Sequence, residues 1–481
     1  MTAAVDTSPE TTAGTLLVVR AIAFVVGGAS LGTEIAAARL LAPYFGASTI
    51  IWANTIATIL VALSIGYAVG GRLADRRADL RGLCAIVLIA SVLLAVVPFI
   101  GDPFLRLSVN ALGSLSVGGF LGSLVAVLVL VAVPVVLLGA VAPYASRLSV
   151  RRISDTGRTI GNLYAISTMG SLVGTFLAAL LLIPTVGTHR TFLIFALSLA
   201  VVGAAGFRSW RLWIVPVAVA ASLAVPPAAI GAGVAGGRVI DSVETEYQYA
   251  RVEQFPDGTR WLQLNEGEAI HSLYRPGSYL TGGYWDDFLV LPFAAGATRP
   301  PGRIAILGDA AGTTARAYGH FYPHTRVDAV ELDGALTQIG RRYFHLSGPR
   351  LHTYTADARP WLEASHAHYD SIFLDAYRQP YIPFYLVTRE FFALARAHLS
   401  PGGTFIVNVG HLPNSSALER VVTATLRTGF AHVMRDRLSS DNTLLVASQS
   451  PLSGRSITSR AIAMPPALHG VQSAVADRLG P

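Results

Sequence analysis

The residues best suited to chemistry recur at regular intervals in the second half of this 481-residue chain. Gly308-Asp309-Ala310-Ala311-Gly312 follows an apolar stretch, Arg303–Leu307, and precedes a helix-like one. Small residues at such a turn let the backbone approach a ligand closely at a helix start. Glu331 stands 23 residues after Gly308, at the end of a second apolar stretch, Arg326–Val330. A carboxylate there can bond both hydroxyls of a ribose. Asp357 closes a third stretch, Leu351–Thr355, and Asp375 a fourth, Ser371–Leu374. Each feature alone is also what a tight turn or a solvated loop provides. Four consecutive strand ends carrying a glycine turn or a carboxylate argue for a nucleotide site, with Gly308, Gly312, Glu331 and Asp357 as the cofactor-binding set.

The elements that must position these residues follow from the same pattern. Short apolar runs, with Thr404–Val409 as the fifth, alternate with helix-like stretches, which predicts a mostly parallel, doubly wound α/β sheet. Ligands of such sheets bind at the carboxyl ends of the strands. Ahead of it, Tyr247–Phe255 and Arg260–Leu264 flank the turn sequence Pro256-Asp257-Gly258 and predict a small antiparallel β entry. Thr443–Ser448 is expected to close the sheet as an edge strand. The Ser-, Pro- and Ala-rich residues 450–481 are expected to be a disordered tail. The histidines, His366 and His368 among them, show no zinc-ligand spacing, and with a single cysteine, Cys84, no metal site is predicted.

The first half is different in kind. Overall the chain is 52% hydrophobic and 14% charged, with a mean hydropathy of +0.51, too apolar for a wholly soluble protein. The excess lies before about Ala235. Residues 1–15 read as a flexible tail without the basic start of a secretory signal, and 16–235 as a transmembrane domain of about seven helices: Leu16–Ala38, Ile50–Gly71, Leu83–Ile100, Val117–Val141, Ile160–Ile183, Phe192–Phe207 and Leu212–Ala235. The last two are the weakest, one short and one carrying Pro216, Pro226 and Pro227. Arg72, Arg76, Arg77 and Arg81 enrich one loop, and Arg147, Arg151, Arg152 and Arg158 another, which makes both cytoplasmic. Seven full spans would then send residues 236–449 outside, against the chemistry of a nucleotide-binding domain. A cell-membrane, multi-pass protein with a cytoplasmic C-terminal domain is the expectation.

Two features of this half are unusual. Glu34 lies inside the first span, where an ionisable group is a functional candidate, unless it pairs with the nearby Arg39. The segment from Gly66 to Arg77 is similar to the Gly-rich Asp-Arg loop of major facilitator transporters, although tight helix packing through glycine accounts for it equally. The net charge of +7 is carried by arginine without any dense basic run, so nucleic acid is not an expected partner.

Within Glu244–Ser448 five ordered segments resemble the spermidine synthase family of polyamine aminopropyltransferases. Glu244-Thr245-Glu246-Tyr247-Gln248 looks like the family's opening Ser-x-Tyr-Gln strand, and Leu262-Gln263-Leu264-Asn265-Glu266-Gly267 is similar to its Leu-x-Leu-Asp-Gly hairpin. Val330-Glu331-Leu332-Asp333 matches the ribose-binding strand, and Ala356-Asp357-Ala358-Arg359 the adenine-binding turn. Tyr369 to Asp375 matches the strand that ends in the catalytic aspartate. The membrane half is similar to a fused bacterial branch that places such a domain behind several spans.

The resemblance implies a Rossmann-like, class I methyltransferase-type domain over 236–449. It also implies transfer of an aminopropyl group from decarboxylated S-adenosylmethionine to a small amine, with no metal. Asp375 would be the catalytic acid–base group, Gln248 a nucleotide contact, Tyr284 and Tyr377 the walls of the amine channel and Asp287 an amine counter-ion. Three departures stand out. Ala311 replaces the substrate-facing aspartate of the glycine loop, with Asp309 two positions earlier; Arg378 replaces a second acid after Asp375; and Tyr284-Trp285-Asp286-Asp287 lacks the family's histidine. A methyltransferase using intact S-adenosylmethionine therefore stays open. So does a membrane transporter or sensor whose C-terminal domain binds a nucleoside or polyamine without chemistry. A lipid bilayer and a small-molecule amine are the implied partners, and a homo-oligomer is compatible with the sequence.

Overall fold

The computed structural model describes all residues except 1–12, 46–48, 113–117, 151–152, 208, 226–235, 246, 266–268, 378–381, 411–415, 440–441, 460–463 and 481. The chain divides into two compact units, Met1–Ala232 with Val243–Tyr249, and Gly233–Ser242 with Ala250–Pro481.

The first unit is helical: α1 (Ala13–Phe45), α2 (Thr49–Arg76), α3 (Leu80–Leu112), α4 (Gly118–Val127), α5 (Val133–Ser149), α6 (Thr156–Phe176), α7 (Ile183–Phe207) and a short α8 (Ile214–Ser222). Five helical stretches among the described residues are long and apolar enough to cross a membrane, rather than the expected seven segments. The difference has a structural cause. The two segments expected at Ile160–Ile183 and Phe192–Phe207 lie in one helical run, Ile153–Phe207, which kinks at Gly187, where φ is +83°. Among the described residues the segment expected at Leu212–Ala235 contains the nine-residue α8, and its residues 226–235 lie outside the described residues.

The Gly66–Arg77 segment lies on α2 and the residue after it, and its Gly66 and Gly70 pack against a neighbouring helix. A Cβ at Gly70 would stand 2.2 Å from the carbonyl of Ala140 on α5. A Cβ at Gly174 of α6 would stand 2.1 Å from that of Gly28 on α1. Such approaches let apolar helices associate by close backbone packing. Arg39 does not pair with Glu34; it faces the Glu244 carboxylate at 3.8 Å and bonds the carbonyl of Thr245.

The second unit opens with an antiparallel sheet in the order β1 (Arg238–Glu244), β2 (Tyr249–Gln254), β3 (Arg260–Leu264), β4 (Ile270–Tyr274). Pro256-Asp257-Gly258 makes the expected hairpin: Gly258 takes φ +82°, and the Asp257 carboxylate accepts the Thr259 N–H at 2.9 Å. The main sheet has eight strands: β5 (Arg303–Leu307), β6 (Arg326–Glu331), β7 (Leu351–Thr355), β8 (Tyr369–Leu374), β9 (Leu399–Gly410), β10 (His432–Arg437), β11 (Asn442–Ser448) and β12 (Leu479–Gly480), in the spatial order β12-β10-β11-β9-β8-β5-β6-β7. Strands β5 to β9 run parallel. In chain order, the helices of this unit begin with α9 (Tyr284–Asp287), α10 (Thr313–Phe321), α11 (Gly334–Tyr343), α12 (Ala358–Ala364), α13 (Arg389–Ala397) and α14 (Ala417–Leu426). The strand order reverses between β5 and β8, which opens a crevice at their carboxyl ends.

Alternate residues of each strand fill two cores. Ile304, Ile306, Phe373 and Ile406 pack on one face, while Ala305, Leu307, Ile372, Leu374 and Phe405 pack on the other. Buried on both sides, these strands read as continuous apolar runs, as a covered parallel sheet requires.

Two expectations are overturned at the sheet's far end. The strand expected at the edge, β11, is interior, flanked by β9 and β10. The tail expected to be disordered folds: α15 (Gly454–Thr458) and α16 (His469–Arg478) cover the first core, with Ile457, Leu468 and Val475 fully buried, and β12 then pairs with β10. Those apolar residues are widely spaced among serine, proline and alanine, so average composition hides them. Arg478 fixes the end of α16 by donating to both oxygens of the fully buried Asp436, at 2.7 and 3.2 Å, and to Asp287 at 2.8 Å.

Candidate active site

Four strand ends converge on the crevice. Gly308, directly after β5, donates its N–H to the Val330 carbonyl at 2.9 Å, and its φ of +92° bends the chain away from the sheet. A Cβ there would stand 2.6 Å from Ala376 Cα. The glycine is therefore required by the close approach of the Asp375–Ala376 backbone. Gly312 closes the loop with φ +87° and starts α10 (Thr313–Phe321). Between them Ala310 occupies the left-handed region at φ +47°, a strained state for an alanine. Its N–H is held by Glu331 Oε2 at 2.9 Å.

Glu331 thus braces the loop while sitting at the end of β6. Its other oxygen accepts the Asp333 N–H at 2.9 Å. Burial pushes its pKa up to about 6, against the pull of the two N–H groups. Each oxygen keeps lone-pair capacity for a further donor, such as a ribose hydroxyl.

Asp375 ends β8 and is the most elaborately held acid of the group. Asn408 of β9 donates Nδ2–H to Oδ1 at 2.8 Å, and the Tyr284 hydroxyl donates to Oδ2 at 3.0 Å. Burial raises its pKa to about 7 despite these two hydrogen bonds, with a further push from the charge of Glu331. Tyr284 begins the single-turn α9 (Tyr284–Asp287); its ring stacks on Trp285 at 4.3 Å and meets Phe288 edge-on at 5.8 Å. The Tyr377 hydroxyl donates to the Asn408 carbonyl at 2.8 Å and accepts the Gly410 N–H, tying the chain after Asp375 to the end of β9.

Asp309 completes the cluster. Its side chain is only 7% exposed, yet Oδ1 has no hydrogen-bond partner among the described residues. Burial, with the charges of Glu331 and Asp375 behind it, holds its pKa well above the ordinary carboxylate range. Three carboxylates crowded into a low-dielectric crevice call for a cation.

Other expected residues are engaged elsewhere. Asp357 caps α12 (Ala358–Ala364) through the Arg359 N–H at 3.0 Å and accepts the Tyr385 hydroxyl at 2.7 Å. Asp287, expected as an amine counter-ion, is 3% exposed and held by Arg478. Burial and the neighbouring Asp436 raise its pKa to about 8. Its carboxyl is bonded to Arg478 of the C-terminal helix rather than standing free for an amine. Gln248 lies in the segment Val243–Tyr249 that groups with the helical unit, where its carbonyl accepts the Thr245 N–H at 2.8 Å. Arg378 lies outside the described residues. Among the described residues no group of three or more potential ligands could hold a metal ion.

Asn408 was missed. Its signal was a lone asparagine in the apolar run Phe405-Ile406-Val407-Asn408-Val409, where a side chain 3% exposed must have a polar partner. The wait for a partner continues at its Oδ1, which has none among the described residues.

No family model matches the chain. A probable polyamine aminopropyl transferase of Bifidobacterium longum is 33% identical over 190 residues, covering 39% of this chain and 42% of that protein. The polyamine aminopropyltransferase of Vibrio vulnificus is 34% identical over 134 residues, covering 27% of this chain and 44% of that protein. The chain thus spans less than half the length of these two relatives. Among solved structures, a probable spermidine synthase from Corynebacterium glutamicum is 22% identical, covers 49% of this chain and 94% of its own, and superposes with a TM-score of 0.39. By sequence, part of this chain is similar to polyamine aminopropyltransferases.

Proposed function

We propose that the C-terminal half transfers an aminopropyl group from decarboxylated S-adenosylmethionine to a small amine. The observation that carries this reading is the crevice cluster of Asp309, Glu331 and Asp375, with Asp375 oriented by Tyr284 and Asn408. The residues suit a cationic nucleoside: Glu331 has lone pairs for a ribose, and Asp309 offers a buried oxygen without a partner. When bound, the cofactor supplies a sulfonium whose adjacent carbon is open to attack by an amine.

The chain's own residues then have separable tasks. Glu331 and the Gly308–Gly312 loop hold the nucleoside. Asp375 attracts the incoming ammonium, whose pKa is near that of lysine, ~10, and takes a proton from it, which frees the nitrogen lone pair for attack. Tyr284 and Asn408 keep the Asp375 carboxylate aimed while Tyr377 walls the channel. Rate then comes mainly from alignment of the reacting atoms.

This assignment sets a sign for the pH dependence. A base must be ionised, and Asp375 ionises only as pH rises through about 7. Initial rates with decarboxylated S-adenosylmethionine and putrescine should therefore climb about tenfold per pH unit below that point and level off above it. A rate that is flat from acid pH upward would remove Asp375 from the role. Bound cofactor, being positive, should move the limb to lower pH.

In this reading the C-terminal half lies on the cytoplasmic side of the cell membrane with the arginine-rich loops, which requires the run Ile153–Phe207 to cross twice, turning at the Gly187 kink. Reporters fused after Pro481, so that α16 and β12 stay intact, should give cytoplasmic fluorescence and no periplasmic phosphatase activity. The reverse result would contradict the placement.

A further inference from the structure

Between α1, α2, α5 and α6 the helical unit forms a partly open cavity of ≈ 320 Å³, at the small end of ligand pockets, about 300–1,000 Å³. Its walls mix aliphatic side chains with hydroxyls, among them Ser30, Tyr67, Tyr164 and Ser167. Helix α1 lines it with Ala23, Gly27, Ser30 and Leu31, a single stripe at helical spacing. Glu34 follows Leu31 by three residues and Ser30 by four, so it is the next position of that stripe. Glu34 itself stands one turn beyond the last α1 residues that line the cavity, Ser30 and Leu31, and helical side chains lean toward the N-terminus of their helix, which from Glu34 is the cavity's side.

Glu34 has no hydrogen bond or ion pair among the described residues, and the nearby arginine, Arg39, is turned to Glu244. A carboxyl inside a membrane-length helix, Gly14–Ala42, is costly without a partner. We propose that this cavity binds a protonated alkylamine, with its ammonium at Glu34 and its methylene stem along the aliphatic wall. An anion would meet Glu34 with like charge, and a neutral ligand would leave the carboxyl uncompensated. The hydroxyls accept the remaining N–H groups of the ammonium. The same chemistry has two sources, a free polyamine and the ethanolamine headgroup of a lipid. The assignment does not rest on the chemistry of the C-terminal half.

The test is equilibrium binding of radiolabelled spermidine to the full chain in phosphatidylcholine nanodiscs, a lipid without a primary amine. Glu34→Gln, and Ala142→Leu on the cavity wall, should each lose one equivalent of bound amine relative to wild type, while Glu34→Asp keeps it. Displacement of that equivalent when phosphatidylethanolamine is added to the discs would assign the site to the headgroup and sustain the amine chemistry. Wild-type stoichiometry in both Glu34→Gln and Ala142→Leu would overturn the proposal, whatever the turnover of the C-terminal half.

Discussion

Asp375→Asn should lower aminopropyl turnover by about 10²–10⁴-fold, the usual contribution of a positioned acid–base group, with cofactor affinity retained. The substitution keeps the shape of the side chain and its place between Asn408 and Tyr284. It removes the charge that holds the ammonium and the basicity that takes its proton. Steady-state rates on the variant, paired with calorimetric cofactor titration, separate the two effects. Turnover within a few-fold of wild type would mean that another group accepts the proton. Loss of cofactor binding together with turnover would show that Asp375 acts on the nucleoside rather than on the amine.

Glu331→Ala should weaken nucleoside binding by roughly 10²–10⁴-fold, since two hydrogen bonds to a charged acceptor contribute about 1.5–3 kcal/mol each. Part of the loss will come from the loop, because Glu331 also holds the strained Ala310 through its N–H. Glu331→Gln distinguishes the shares. Its amide oxygen can still accept the Ala310 N–H, at the cost of the Asp333 N–H, so it should hold the glycine loop while losing the charge-assisted bonds to the ribose. Calorimetry on the intact protein measures both variants. Unchanged affinity in a folded Glu331→Ala protein would place the nucleoside elsewhere.

Strands β5 and β8 were legible because they are buried on both faces and so appear as apolar runs ending in a glycine or an acid, whereas the half-exposed edge strand β7 was legible from its threonine and tyrosine content ahead of Asp357; β5 and β7 match their expected limits. The strand-end carboxylates were legible for the same reason. What the pattern could not show is which partner each carboxylate has taken. Asp287 looks like a free acid beside an aromatic, yet its partner, Arg478, lies 191 residues away on a helix that composition disguised as a tail. Asn408 carries no charge and belongs to no motif, and only the fold places its amide on Asp375. In the helical unit, spacing and hydropathy located the apolar stretches but not the continuity of Ile153–Phe207, because a kink at a glycine with positive φ leaves the same signature as a loop.

The glycine loop also separates sequence from structure. The sequence resemblance implies an acid at the position of Ala311, and Asp309 stands two positions away from it. In the fold, Asp309 lies close enough to Glu331 and Asp375 for their charges to raise its pKa, so acidity is retained in the crevice from a different position.

The central claim is aminopropyl transfer, and it is tested most directly by offering the intact protein both cofactors, decarboxylated and intact S-adenosylmethionine, with a mixture of putrescine and spermidine, and identifying the products by mass spectrometry. The account predicts amines extended by an aminopropyl group, with consumption of the decarboxylated cofactor and loss of product in Asp375→Asn. Amines or other acceptors that gain only a methyl group, with the decarboxylated cofactor untouched, would contradict it.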